Sequence, residues 1–391
     1  MPARFVHASL LAALILTSVS TPAAGQATPD GPPPARKKTI RTLWTGNPRI
    51  KPARFFTLFM YSESFNQGQR EDTHKNMTNM FREFNNDVSD LREALGPELI
   101  DISRPVRVDS SARAPRPPRS QKDGVDESYV VIKDKRGLRD CIDALKKELE
   151  ENDPGTDDVV FVYLLTHGGK DQNGRVVLEA GDRDLVDRQN DLVMPLKSLV
   201  AVDDGPARLV VLITDNCAGD RLVRGVRPQP AAQPAAAPLL PETSERRVGG
   251  IWRALYFGHE GFVDIQSADP NLNQSGYIVG SSGSLFLLAF SSALSANSID
   301  YLLDPDERDR FKSMNNFAKR NRFVEKLDRP DANGLKDGVV AWKDEFRGHL
   351  EHEMSRLFDQ AFKRNEGQQR QTISFDLSGV KVRPADGGIR N

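Results

Sequence analysis

Cysteine is nearly absent: the chain has two in 391 residues, Cys141 and Cys217. That excludes a small disulfide-stapled scaffold, and a chain of this length has core enough not to need one. Excess charge of either sign is absent too. The 54 Lys and Arg residues balance 55 Asp and Glu, for a net charge of −1. This argues against nucleic acid or an anionic membrane surface as the main partner. No apolar run after the first twenty residues is long enough to cross a bilayer. There is no internal repeat and no G-x-S-x-G, which leaves an α/β hydrolase built on Asp215 without its nucleophile motif. The hydrophobic share of 38% is low even after allowing for glycine, and predicts several long solvated loops.

The first residues read as an export signal. Arg4 and His7 lie in a mildly basic start, residues 8–19 are apolar, and the small residues of T-P-A-A-G-Q-A follow. Cleavage is expected between Ala23 and Ala27, giving a signal segment 1–25 and an exported, periplasmic or extracellular, soluble protein. Residues 26–50 are rich in Pro, Gly and basic residues without a period, and are expected to form a flexible leader. One domain is expected over 51–385, interrupted by two low-complexity insertions. The first, 103–124, alternates Pro and Arg and reads as a mobile loop or a basic docking loop. The second, 225–248, is rich in Pro and Ala.

The informative stretch is R-L-V-V-L-I-T-D-N-C-A-G-D, residues 208–220. Residues 209–213 have the length and β-branching of a strand buried on both faces. Cys217 follows its end. In an open parallel sheet, ligands sit beyond the carboxyl ends of the strands. Residues 157–169, D-D-V-V-F-V-Y-L-L-T-H-G-G, repeat the design, and this strand ends in His167. Alone, Cys217 reads equally as a buried structural residue, because free Cys is commonly buried, and a lone strand-end His is usually structural. Together they place the two halves of a Cys–His pair on two strand ends, 50 residues apart in sequence.

The remaining pattern alternates strands and helices. Strands are expected at 54–61, 99–102, 129–132, 261–267 and 372–377. Helices are expected at 74–95, 138–149, 284–294 and 343–362, with a short one near 194–200. Residues 171–192 read as a polar loop over the strand ends. The alternation predicts an α/β fold, a mainly parallel central sheet with helices on both faces. Cys141 falls beside the apolar stripe Leu138, Ile142, Leu145 and Leu149, and reads as a packing residue. Both thiols are expected to be free. His259 is a weaker base candidate, since no apolar strand precedes it. His349 and His352 share a helix face, but no third ligand is placed, so they read as a solvated face rather than a metal site.

In the order of its pieces the chain resembles the caspase-like cysteine peptidases, nearer the metacaspase branch. The residues that carry the resemblance are the strand at 54–61, F-N-N-D-V-S-D-L (84–91), T-H-G (166–168) and D-N-C (215–217). Downstream are F-V-D-I-Q-S-A (262–268), G-S-L-F-L-L-A-F (283–290), D-G-V-V-A-W-K-D-E-F (337–346) and Q-Q-R-Q-T-I (368–373). Caspases likewise carry their His about 50 residues before the Cys. One departure stands out: the family shows Cys-x-Ser-Gly or Cys-x-Gly, often followed by another Gly, whereas this chain reads C-A-G-D, with Asp220 in an unexpected place.

The resemblance implies a three-layer sandwich and a cysteine endopeptidase. It implies Cys217 as nucleophile, His167 as general acid and base, and an oxyanion hole from the N–H groups of Gly168 and Cys217. It places Asp215 and Ser267 in substrate binding. An acidic Asp215 would favour Arg or Lys before the scissile bond through charge-assisted bonds, although Asp215 capping its own turn stays open. A second specificity carboxylate, Asp220 or one from the 180s loop, is not chosen by the sequence. The insertion at 225–248 falls where caspases carry an inter-subunit linker, so cleavage after Arg224, Arg227, Arg246 or Arg247 is an expectation, with a passive loop as the alternative. Partners are peptide or protein substrates. No metal or other cofactor is implied, and nothing in the sequence supports calcium dependence. The alternative is a caspase-like domain that binds peptides without cleaving them.

Overall fold

The structure, a computed structural model, describes residues 55–64, 68, 70–77, 80, 104–105, 129–151, 158–181, 184–200, 206–217, 255–256, 258–272, 276–277, 284–330, 340–362 and 370–382. The expected signal segment, the leader, the strand at 99–102, nearly all of the first insertion, the whole of the second with its arginines, and Asp220 lie outside the described residues.

Among the described residues an eight-stranded sheet forms the centre. Its strands begin with β1 (Phe55–Ser62), β2 (Arg104–Pro105) and β3 (Val130–Ile132), followed by helix α1 (Lys135–Glu151) and β4 (Val159–Leu165). Next come three short strands, β5 (Gly168–Lys170), β6 (Val176–Ala180) and β7 (Asp184–Asp187), then the short helix α2 (Met194–Lys197). The main sheet resumes with β8 (Leu209–Asp215) and β9 (His259–Gln266). Four helices follow: α3 (Leu285–Ala293), α4 (Pro305–Ser313), α5 (Asn316–Leu327) and α6 (Arg347–Phe362). The chain closes with β10 (Ser374–Asp376) and β11 (Lys381–Val382). The order across the sheet is β10-β9-β8-β4-β1-β2, with β3 also on β1 and β11 also on β9. All pairings from β9 to β1, β2 and β3 are parallel, and the edge strands β10 and β11 are antiparallel.

The strands β1, β4 and β8 are buried at every position. This is why they read as continuous apolar runs rather than as alternating ones. Alternate side chains serve two cores. Val159, Phe161, Tyr163, Leu165, Leu209, Val211 and Ile213 pack with residues of α3, α5 and α6. Val160, Val162, Leu164, Val210 and Leu212 pack with residues of α1 and α2. The fold is therefore mixed α/β, with a mostly parallel central sheet and helices against both faces. Cys141 lies in the second core on α1, fully buried, as its place beside the apolar stripe predicts.

Three expectations need correction. Residues 171–192 are not a plain loop, because β5, β6 and β7 form a separate three-stranded antiparallel sheet. Their polar and glycine-rich composition hid the alternation that puts Leu178, Ala180 and Val186 into the α1 core. The helices α4 and α5 have few buried apolar residues, so periodicity missed them, yet both carry clear start signals. Asp304 caps the Glu307 N–H at 2.7 Å with Pro305 next, and Asn315 caps Ala318 N–H at 2.9 Å. Finally, His349 is not on a solvated face. It is 1% exposed, with Nε2 2.8 Å from Ser298 Oγ and Nδ1 2.9 Å from Tyr301 Oη. His352 stacks on the same Tyr301 ring.

Burial lowers the pKa of His349 from 6.5 to about 4, and that of His74 likewise to about 4. Between those values the unfolded chain takes up protons that the folded one refuses, so stability present above pH 6.5 is lost as the pH falls toward 4. The full loss is on the order of 3 kcal/mol per histidine. Denaturant midpoints measured from pH 7 to pH 4.5 should fall steadily, and His349→Gln should be less stable at pH 7 but flatter in this range.

Candidate functional site

Strands β4 and β8 run parallel and in register from Val159↔Leu209 to Leu165↔Asp215. The ladder continues one step, with Thr166 N–H donating to Asp215 O at 3.1 Å. His167 and Cys217 each lie two residues beyond the last pair, so the register brings them out level at the carboxyl edge. Both are half-buried. Among the described residues both cysteines are free thiols.

Gly168 marks how closely the two strand ends meet. A Cβ there would lie 2.4 Å from Asn216 Nδ2 and 2.7 Å from the Cys217 carbonyl oxygen. The backbone after His167 therefore sits directly against the Asn216 side chain and the Cys217 carbonyl, and glycine is required by space. The segment is held on its other side by β6. Glu179 N–H donates to His167 O at 2.8 Å, while the buried Thr166 hydroxyl donates to Glu179 O at 2.5 Å and lies 3.1 Å from His167 O. This bonding makes Gly168↔Leu178 a non-hydrogen-bonded pair, so the Gly168 N–H turns away from β6.

The Cys217 sulfur meets a peptide from a distant part of the chain. Gly276 N–H donates to Sγ at 3.3 Å. Tyr277 follows, with its ring against Phe358 and Phe362 of α6. Burial pushes the Tyr277 phenol above its ordinary pKa, and the charge of Cys217 pushes it the same way, so that phenol lies within electrostatic reach of the sulfur. Neither Gly276 nor Tyr277 carries a sequence signal. Both lie in a stretch that reads only as a loop before a glycine-rich turn.

Asp215, the last residue of β8, is 3% exposed. Its Oδ2 accepts from Tyr163 Oη at 2.7 Å and from Ser284 Oγ. Burial raises its pKa, opposed by hydrogen bonds from Ser284, Tyr163 and Ser267. Ser284 also caps α3 by accepting from Leu287 N–H at 2.9 Å. Ser267, fully buried, accepts from Asn216 N–H at 2.9 Å and donates to Asn216 O at 3.1 Å. Asp215 and Ser267 thus form the floor under the strand end. Among the described residues the partners of the Asp215 carboxylate are side-chain hydroxyls, and the turn it would cap lies outside them.

The other histidine candidate separates by position. His259 opens β9 at the amino end of the parallel sheet, the edge opposite Cys217, and its Nδ1 lies 2.9 Å from Leu255 O. Among the described residues no group of three or more His, Cys, Asp or Glu is placed to hold a metal ion. No described helix is long and apolar enough to cross a membrane.

A buried ion pair clamps the His side of the site to the Cys side. Arg188, directly after β7, donates from Nη1 to Asp264 Oδ2 at 2.9 Å, pairs through Nη2 with Asp264 Oδ1, and bonds Thr214 Oγ1 from Nε at 3.2 Å. Thr214 is three residues before Cys217. Sequence reading missed this residue because one Arg in a charged stretch gives no sign of burial.

No protein-family model and no curated protein sequence matches this chain. The site stands on its own geometry.

Two outcomes follow for this geometry. Gly168→Ala should cost about 1–3 kcal/mol of stability from overpacking, whereas Gly276→Ala, whose nearest contact would be 3.4 Å, should cost much less; urea unfolding compares them. Arg188→Met leaves Asp264 buried without its cation and should cost about 3–5 kcal/mol, most of it recovered when Asp264→Leu is added.

Proposed function

We propose that this chain is an exported cysteine endopeptidase with a caspase-like three-layer fold, cutting peptide bonds after Arg or Lys. The observation that carries the reading is the in-register exit of β4 and β8, which sets His167 and Cys217 level at one edge of a parallel sheet. The resemblance in motif order adds to it, and free cysteines are a precondition that the chain meets.

In this reading the Cys217 thiolate attacks the scissile carbonyl carbon, and a C–S bond forms as the carbonyl π electrons move to oxygen. The N–H groups of Gly168 and Cys217 receive the oxyanion. The Gly168 N–H is available because it turns away from its ladder partner, and such donors are worth about a hundredfold or more in rate each. His167 gives its proton to the leaving amine as the C–N bond breaks. It then takes a proton from water, which attacks the thioester and returns the thiol. No cofactor enters these steps. Asp215 would supply negative charge at the floor of the pocket that holds the residue before the scissile bond. Its Oδ2 already accepts from two hydroxyls, so a guanidinium would be read through the remaining oxygen or through Ser284.

The test is hydrolysis of fluorogenic peptides ending in Arg, Lys or Asp by the wild type, Cys217→Ala and His167→Ala. Arg and Lys peptides should be cleaved and Asp peptides not, with both variants lowered at least about a thousandfold. Equal hydrolysis by wild type and Cys217→Ala would overturn the reading. Saturable binding of the Arg peptide without cleavage would replace it with the binding-module alternative.

A further inference from the structure

We propose that Gln371 is a positioning residue that holds the Gly276–Tyr277 peptide against the Cys217 sulfur and so sets the ionisation of that thiol. The inference deepens the reading above, since it takes Cys217 as the nucleophile.

Gln371 lies three residues before β10 and is 7% exposed. Its carboxamide bridges two backbones. Nε2 donates to Ser267 O at 2.5 Å, and Oε1 accepts from Tyr277 N–H at 3.2 Å. The orientation of the amide follows from its partners, because a carbonyl only accepts and a peptide N–H only donates. The segment around Gln371 is itself fixed, since Asp269 N–H donates to Thr372 O at 3.0 Å.

These bonds close a ring. Cys217 follows Asn216, whose two peptide groups are held by the Ser267 hydroxyl. Ser267 is tied through its carbonyl to Gln371, Gln371 to Tyr277, and Gly276, the neighbour of Tyr277, to the sulfur. The far side of the segment is pinned as well, because Tyr277 O accepts from Leu285 N–H at 2.9 Å at the start of α3. Gln371 is the side chain that closes the ring, and both of these bonds go to backbone groups rather than to the sulfur.

The chemical consequence lies in the thiol. A hydrogen bond from a peptide N–H to sulfur is stronger to the anion than to the neutral thiol, so it favours the thiolate. The effect depends on keeping Gly276 N–H near 3.3 Å from Sγ. Without the Gln371 carboxamide, Tyr277 N–H loses that acceptor, the tie between Ser267 and the Gly276 segment is cut, and the thiolate loses a fixed donor.

The pH dependence of iodoacetamide alkylation at Cys217 in the full chain tests this, with the labelled residue identified by mass spectrometry. Cys141 does not compete at neutral pH, because burial pushes its thiol up to about 12. Gln371→Met is neutral and similar in size. It should raise the apparent pKa of Cys217 by about one unit, slowing alkylation about tenfold below that pKa and leaving the high-pH plateau unchanged. A purely structural role would lower Tm and leave the pKa in place, and an unmoved pKa in folded Gln371→Met overturns the proposal. Should that variant fail to fold, Gln371→Asn keeps the amide but cannot span both partners. The same rise is expected there, and its absence is equally decisive. Because the readout is ionisation and not turnover, the two readings fail separately. A shifted pKa in a protein that cleaves nothing sinks the peptidase alone, and cleavage with an unmoved pKa sinks the role of Gln371 alone.

Discussion

The register between β4 and β8 governs everything at the site. Strand β4 feeds the large Phe161 and Tyr163 to one core and the smaller Val160 and Val162 to the other, and β8 divides Leu209, Val211 and Ile213 from Val210 and Leu212 in the same way. A slip of one residue would exchange the two sets and put every side chain on the wrong face. Packing therefore fixes the pairing from Val159↔Leu209 to Leu165↔Asp215. That pairing in turn fixes where the chain leaves the sheet. His167 and Cys217 are level because this alignment carries through to both strand ends.

Around this edge the structure spends its buried polar groups on one another. Tyr163, Ser284 and Ser267 bond Asp215, the Ser267 hydroxyl also holds the backbone N–H and C=O of Asn216, and Gln371 joins Ser267 to Tyr277. In a low-dielectric interior such bonds are strong when complete and costly when broken. A connected set of them holds the sulfur, its floor and the Gly276 segment as one body. The Arg188–Asp264 pair does the same on a larger scale by fastening the end of the small sheet to β8 and β9. The small sheet converts the residues after His167 from a loop into a strand edge with defined backbone directions.

The strands were legible because burial on both faces writes itself as continuous apolar runs, and β1, β4 and β8 lie within one or two residues of the stretches read from the chain. The helices α1, α3 and α6 carry apolar residues at helical spacing and were found for that reason. The helices α4 and α5 bury too little to show a period, although Asp304-Pro305 and Asn315 announce their starts. The small sheet was missed because Gly168, Gly169, Gly181 and several aspartates dilute its alternation. His349 was misread because spacing gives a face but not what covers it, and the cover comes from Ser298, Tyr301 and Phe323.

The sequence by itself determined the parallel strands, the order of the elements and the two strand ends carrying His167 and Cys217, because these rest on local apolar patterns and on chain order. Only the tertiary structure decided that those ends meet level, that Gly168 lies on the Cys217 peptide, that Gly276 donates to the sulfur, and that Arg188 and Gln371 are buried as fasteners. Each of those depends on contacts between residues tens of positions apart. A polar side chain carries no local mark of the partner that will satisfy it once water is excluded.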